Sequence, residues 1–381
     1  MNFNLFDLSI EDFYPLTLTR PISDLRIGIN TIKEKWETTL GGEAGHTSKS
    51  YLNTKFRHFE TELAINSRWI PDSNSAQLVN SLKQGQALLY GEIILAAKFS
   101  EGQEISDISD FVEHSSAPFL INGVTDIFSE NERAIALEFE RSEVSDQFKR
   151  DNTLYGDNFH IHPSAQIRGA ILNSETGPIY IGPNAQVMEG SMIRGPFVLC
   201  EESHVKMGSK IYGATTIGPH SRVGGEISNS VIQGYSNKGH DGFLGNSVLG
   251  HWCNLGADTN ISNLKNNYSS VKIWDYTKRE YRNTGLTFCG LIMGDHSKTA
   301  INTQFNTGTI VGANVNVFDS GFPPKFIPSF SWSGPTGFTA YNFDKAMEVC
   351  ERVCARRKVE WTDEDVSIMR HIQDNLVNPR A

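Results

Sequence analysis

The chain has few cysteines, no long apolar run and no excess of positive charge, and each shortage closes off a class of function. Its five cysteines (Cys200, Cys253, Cys289, Cys350 and Cys354) are odd in number and include no CxxC pair. That pattern reads as neither a disulfide framework nor a zinc site and fits a reducing compartment. No stretch approaches the roughly 18 consecutive apolar residues of a membrane span. The opening residues, MNFNLFDLSIEDF, lack the basic and apolar regions of a secretory signal. Thirty-four lysines and arginines against 44 aspartates and glutamates leave a net charge of −10. Such a balance disfavours nucleic acid or an anionic membrane as partner. Phosphorylated small molecules stay open, because they need only a locally basic pocket. The expectation is a cytoplasmic, soluble protein acting on small molecules.

What the chain does have is a period. Ile181, Val187, Ile193, Leu199, Val205, Ile211, Ile217 and Val223 stand six apart without a miss, and four positions after most of them comes Ala, Ser or Thr. The register returns at Phe243, Leu249, Leu255 and Ile261, and again from Met293 to Val317. A helix of 3.6 residues per turn would scatter these side chains, and a flat strand asks for period two. Period six suits a coil of three short strands joined by tight turns, each strand sending one aliphatic side chain inward. Two segments, 225–242 and 262–292, break the period, and they read as loops extruded from the rod. The first runs into Asn237–Asn246, NKGHDGFLGN, a polar glycine-rich run with a lone histidine.

These hexads, and above all NKGHDGFLGNSVLGHWCNLGADT, resemble the left-handed β-helix of hexapeptide-repeat acyltransferases. Within them the match is to the acetyltransferase half of the bifunctional N-acetylglucosamine-1-phosphate uridylyltransferase/glucosamine-1-phosphate acetyltransferases. The resemblance implies a homotrimer using acetyl-CoA. It places the catalytic base on His240, an aromatic wall on Phe243 (tyrosine in that family), a sugar-binding asparagine on Asn254, a basic pocket residue on Lys238 and a phosphate-gripping arginine on Arg222. The chemistry agrees, since attack of an amine on a thioester needs a base that titrates near neutrality, which histidine does unaided. Lys298 is a candidate for a coenzyme A phosphate, the alternative being an exposed lysine at a coil corner. Asn263 and Lys272, in the second break, are expected to help close the site.

Upstream, residues 1–150 show no hexads. Strands are expected at Phe3–Phe6, Glu62–Asn66, Ala87–Ala97 and Ile135–Phe139, with helices at Gly28–Leu40 and Ser75–Lys83 and a polar loop over 43–58. Alternation of this kind argues an open α/β sheet. Ahead of a hexapeptide β-helix it resembles a divergent sugar-1-phosphate nucleotidyltransferase domain. LFD stands where the glycine-rich loop of that family would, so Arg20, Arg26, Lys33 and Lys35 are the candidate nucleotide-binding cations. Asp7, Glu92 and Asp126 are the acids open as ligands to Mg²⁺. Residues 151–158 read as a linker, 151–334 as the β-helix acyltransferase domain and 335–381 as a helical tail that packs on it. A second reading keeps only the nucleotidyltransferase activity, or none, and makes the β-helix a trimerisation scaffold.

Overall fold

The computed structural model describes residues 2–99, 105–334 and 337–376. Its contacts divide the chain into two units: Met1–Phe13, Thr19–Leu25 and Asn30–Gly123 form the first, and Tyr14–Leu18, Arg26–Ile29 and Val124–Ala381 the second. Among the described residues, no helix is long and apolar enough to cross a membrane.

The first unit is built on a six-stranded mixed sheet. Strand β1 (Asn2–Phe6) pairs in parallel with β2 (Glu43–Thr47) on one side and β3 (Leu63–Asn66) on the other. The apolar side chains of β1 are buried on both faces, as covered parallel strands require. Beyond β3 lies an antiparallel hairpin, Ile93–Lys98 with Gln86–Tyr90, which turns at Gly91 where a single strand Ala87–Ala97 is expected. Asp110–Glu113 forms the edge. Helix α1 (Ile32–Leu40) crosses from β1 to β2. It starts at Ile32 rather than Gly28 because Thr31 and Glu34 close a capping box, while Gly28 holds a positive φ of 76°. The polar segment 43–58 opens with β2 itself, since His46 is buried and hydrogen-bonded instead of solvated.

The second unit is a parallel β-solenoid. Its three faces are sheets of nine, five and six strands, the five-stranded one extended past its end by Lys298–Thr299 and Asn316–Val317. Ile181, Leu199 and Ile217 stack in register at an eighteen-residue step, and each is 0% exposed. The small residue of each hexad ties coil to coil; Ser203 donates to the Gly218 carbonyl at 2.7 Å and Ser191 to that of Lys206 at 2.8 Å.

The first break is not an extruded loop. Glu226–Ser228, Val231–Gly234 and Asn237–Lys238 continue the three faces. Ile217 pairs with Ile232 and Val223 with Lys238, fifteen residues on, and Val231 with Val248, seventeen on. Shortened corners shift the hexad register while the coil runs on. The second break is a true excursion, carrying the antiparallel hairpin Lys272–Asp275/Glu280–Asn283, pinned by Trp274 stacked on Phe326 at 4.5 Å.

Two further expectations give way. Thr153–Tyr155, read as linker, is a strand paired in parallel with Ile171–Asn173. Ile135–Phe139, read as a strand, lies in and just past the helix Asn131–Glu138, whose NERAIALE is built from strong helix formers. At the far end the helix Phe343–Ala355 buries Phe343, Ala346, Met347, Cys350 and Cys354, and Asp363–His371 begins with the expected Thr362–Asp365 capping box.

Candidate active site

One outward column of the five-stranded face carries most of the site. His204 pairs with Arg222, Arg222 with Asn237, Asn237 with Asn254, Asn254 with Lys298, and Lys298 with Asn316, each one coil above the next. In a strand, partners in parallel register point the same way. The column therefore brings together Arg222, Asn254 and Lys298, which are far apart in sequence. They line one cleft of about 960 Å³, with His240 at its corner.

The cleft is basic in an acidic protein. Lys206, Arg222, Lys298, Arg356 and Arg357 line it together with His240, and among the described residues no carboxylate does. None of the five cations forms an ion pair among the described residues. The crowding is felt within the site. Burial, with Arg222 and Arg356 beside it, lowers the pKa of Arg357, and burial, with Arg222 and Lys206, lowers that of His204. Lys298 is likewise lowered by burial, and its Nζ donates to the His296 carbonyl at 2.6 Å. Arg356 and Arg357 follow directly on the C-terminal helix. That tail packs on the solenoid as expected, but two of its arginines also reach the cleft, where an amphipathic pattern alone assigned them only to packing.

Two aromatic rings, Tyr235 and Trp252, line the cleft as part of a longer stacked run. His220, Tyr235, Trp252 and His296 occupy successive coil corners, all with positive φ of 54–62°. Tyr235 stacks on His220 at 4.7 Å and on Trp252 at 4.2 Å. Bulky residues in left-handed conformation cost about 1–3 kcal/mol each, and stacking along the rod offsets part of that.

The remaining predicted residues of this unit lie elsewhere. Lys238 does not face the cleft: it is 2% exposed, and its ammonium donates to the carbonyls of Gly224, His240 and Asp241 at 3.0, 2.7 and 3.2 Å. Phe243 lies on the six-stranded face, Asn263 donates to Asn246 Oδ1 at 2.8 Å, and Lys272 is exposed on the hairpin; none of the three lines the cleft. His240 is exposed, and among the described residues its carbonyl, not its imidazole, is hydrogen-bonded.

In the first unit, Asp7 sits just past the carboxyl end of β1, where open α/β sheets bind ligands. Its carboxylate accepts from the Ile22 N–H at 3.2 Å and from Ser48 Oγ at 2.5 Å. Burial raises its pKa to about 6 against those hydrogen bonds, and Asp24 adds to the rise. Close by in sequence, Ser23 Oγ meets His46 Nδ1 at 2.9 Å, and burial lowers the His46 pKa to about 4. Arg20 pairs with Asp24 at 3.5 Å and Lys33 with Glu37 at 3.7 Å. Lys35 is buried on α1. Arg26 is no ligand-facing cation: it is buried in the second unit, its guanidinium donating to the Ile29 carbonyl and its backbone gripped by Gln233. Glu92 is exposed on a hairpin turn, and Asp126 opens a short helix of the second unit. Among the described residues no three His, Cys, Asp or Glu side chains gather as a metal cage.

The fold defines a class: a sugar-nucleotidyltransferase-like domain followed by a parallel β-solenoid with short C-terminal helices. Residues 4–145 match the family model described as sugar nucleotidyl transferase. The bifunctional sugar-1-phosphate nucleotidylyltransferase/acetyltransferase of Sulfurisphaera tokodaii is 26% identical over 44% of this chain and 40% of its own length. The bifunctional protein GlmU of Synechococcus elongatus is 22% identical over 68% of this chain and 54% of its own. The chain thus spans about half, or less, of the length of these two relatives. A solved structure of the polysialic acid O-acetyltransferase OatWY aligns over 55% of this chain and 90% of its own, at 15% identity and a TM-score of 0.29.

Proposed function

We propose that the protein is a two-domain enzyme of sugar-nucleotide metabolism. Its solenoid transfers an acyl group, acetyl in the simplest case, from coenzyme A to an amino-sugar phosphate or nucleotide sugar. Its N-terminal domain handles the sugar-1-phosphate and nucleotide. The observation that carries this reading is the in-register column Arg222–Asn237–Asn254–Lys298 beside His240, in a cleft lined, among the described residues, by five cations and no acid. Polyphosphate ligands such as coenzyme A and nucleotide sugars suit that charge, because arginine forks bind phosphate in two-point fashion.

In the reaction, His240 accepts the proton of the acceptor nitrogen or hydroxyl as that atom attacks the thioester carbonyl. The tetrahedral intermediate collapses with loss of the coenzyme A thiolate, which receives the proton back from the imidazolium. N–H groups of the glycine-rich stretch Gly239–Gly242 can stabilise the oxyanion at no steric cost. Phe243, Asn263 and Lys272, which lie off the cleft of one protomer, would join the site from a neighbouring one, which fits a homotrimer.

For the N-terminal domain, Asp7 is the acid best placed at the strand ends, with Arg20 and Lys33 as the cations of that unit. Mg²⁺ is commonly held by one or two carboxylates plus substrate phosphates rather than by a protein cage, and Asp7 would supply the carboxylate. Five buried cysteines, none in a disulfide among the described residues, fit a reducing cytosol. The test is coenzyme A release from acetyl-CoA with a panel of amino-sugar phosphates and nucleotide sugars. Turnover with at least one acceptor is expected; no turnover with any, alongside a stable trimer, favours the scaffold reading.

A further inference from the structure

Lys238 stands where the solenoid calls for an aliphatic side chain. Val187, Val205 and Val223 stack in register on the inner side of the five-stranded face, and the residue paired beneath Val223 is Lys238. A charge in that column is costly unless its hydrogen bonds are complete. Here all three ammonium hydrogens find backbone carbonyls: Gly224 of the coil above at 3.0 Å, and His240 and Asp241 at 2.7 and 3.2 Å. Asp241 and Asp258 are the acids near enough to favour its charge, yet burial outweighs them and lowers its pKa to about 8.

The location explains the expense. The coil that ends here is shortened, Val223 pairing only fifteen residues on, and the main chain of the corner Gly239–Gly242 lies directly against Gly224 and Gly225 of the coil above. Two of the corner's residues are glycines, Gly242 has φ of 109°, and the imidazole at its centre is exposed with no hydrogen bond among the described residues. The ammonium below ties that corner to the coil above. We infer that Lys238 is a positioning residue, which fixes the main chain of His240 in the cleft without touching substrate. This rests on the acyl-transfer reading above for its consequence, though not for its geometry.

The variant Lys238→Met keeps the volume and apolar stem and removes the three bonds, and Lys238→Gln serves as a second probe should the first fail to fold. Hydrogen exchange is read at Phe243, whose N–H is held by Asn260 Oδ1, and at Asp258, whose N–H is held by the Asp241 carbonyl. Exchange at both should quicken at least tenfold while amides of the coils around Ile181 and Leu199 stay unchanged. If wild type shows acyl transfer, kcat of the variant should fall about ten- to hundredfold with acetyl-CoA affinity within twofold. Faster local exchange in a protein without acyl transfer would support the tie and remove the reading it rests on. Exchange at Phe243 and Asp258 within twofold of wild type, or a variant with normal kcat, would overturn the inference.

Discussion

Arg357 donates through Nη2 to Asn237 Oδ1 at 3.4 Å, across 120 residues of sequence. The contact joins the end of the C-terminal helix to the outward column of the solenoid, and it places a guanidinium beside Arg222. A cation held against other cations, with no acid to neutralise it among the described residues, is poised for an anionic ligand. Arg357→Ala is therefore expected to weaken coenzyme A binding by about 1.5–3 kcal/mol, the scale of one hydrogen bond to a charged group. Calorimetry should also show a shallower dependence of affinity on salt. Equal affinity in the variant would remove the tail from the site.

Gln233 grips the backbone of Arg26 from both sides, accepting from its N–H at 2.6 Å and donating to its carbonyl at 2.9 Å. All of these groups are buried. Gln233→Ala leaves a backbone donor and acceptor unsatisfied, for which about 2–4 kcal/mol of stability is expected to be lost. Urea unfolding of the second unit measures it, and a loss below half a kcal/mol would contradict the arrangement.

Asp7 yields a pH signature. Burial raises its pKa from 3.8 to about 6, so between those values the folded chain holds a proton that the unfolded chain has released. Its contribution to stability is fully present below the unfolded value and is lost as pH rises through about 6. His46 works in the opposite sense: with its pKa lowered to about 4, its contribution is present above about 6.5 and fades as pH falls. The two partly cancel in wild type, so a variant is the cleaner probe. Asp7→Asn should gain in melting temperature relative to wild type between pH 4.5 and pH 7.5, and a difference that does not change with pH would contradict the assignment.

Much of this was legible in the sequence. One inward aliphatic residue per hexad announces the solenoid wherever coils keep eighteen residues, as from Ile181 to Ile217. The register of 225–242 was not legible, because losing three residues at a corner looks in sequence like an insertion. Arg222, Asn254 and Lys298 were legible singly, but for the same reason their alignment in one outward column with Asn237 stayed hidden. Its members recur at unequal steps from Arg222 through Asn237 and Asn254 to Lys298, and no fixed period connects them. The roles of Lys238 and Arg26 were misread since a basic side chain in a polar stretch suggests a ligand, whereas only packing shows whether its charge is spent on backbone. Arg356 and Arg357 were missed because a helix pattern says which face is buried, not what its exposed end approaches.

The hairpin of the second break, with Trp274 stacked on Phe326, does not line the cleft. Lys272→Ala is accordingly expected to leave acetyl-CoA affinity within twofold of wild type, any effect falling on the acceptor KM. A tenfold loss of donor affinity would show that the hairpin forms part of the donor site.

The central claim is that His240 is the base of an acyl transfer carried out in the basic cleft. Loss of a general base typically costs about 10²–10⁴ in rate. The most direct measurement is kcat of His240→Ala for coenzyme A release, with whichever acceptor wild type turns over, together with the acetyl-CoA dissociation constant of the same protein. A fall in kcat of that size is predicted, with donor affinity unchanged because Arg222, Lys298, Arg356 and Arg357 are the proposed holders of the donor phosphates. Turnover within threefold of wild type would contradict the account.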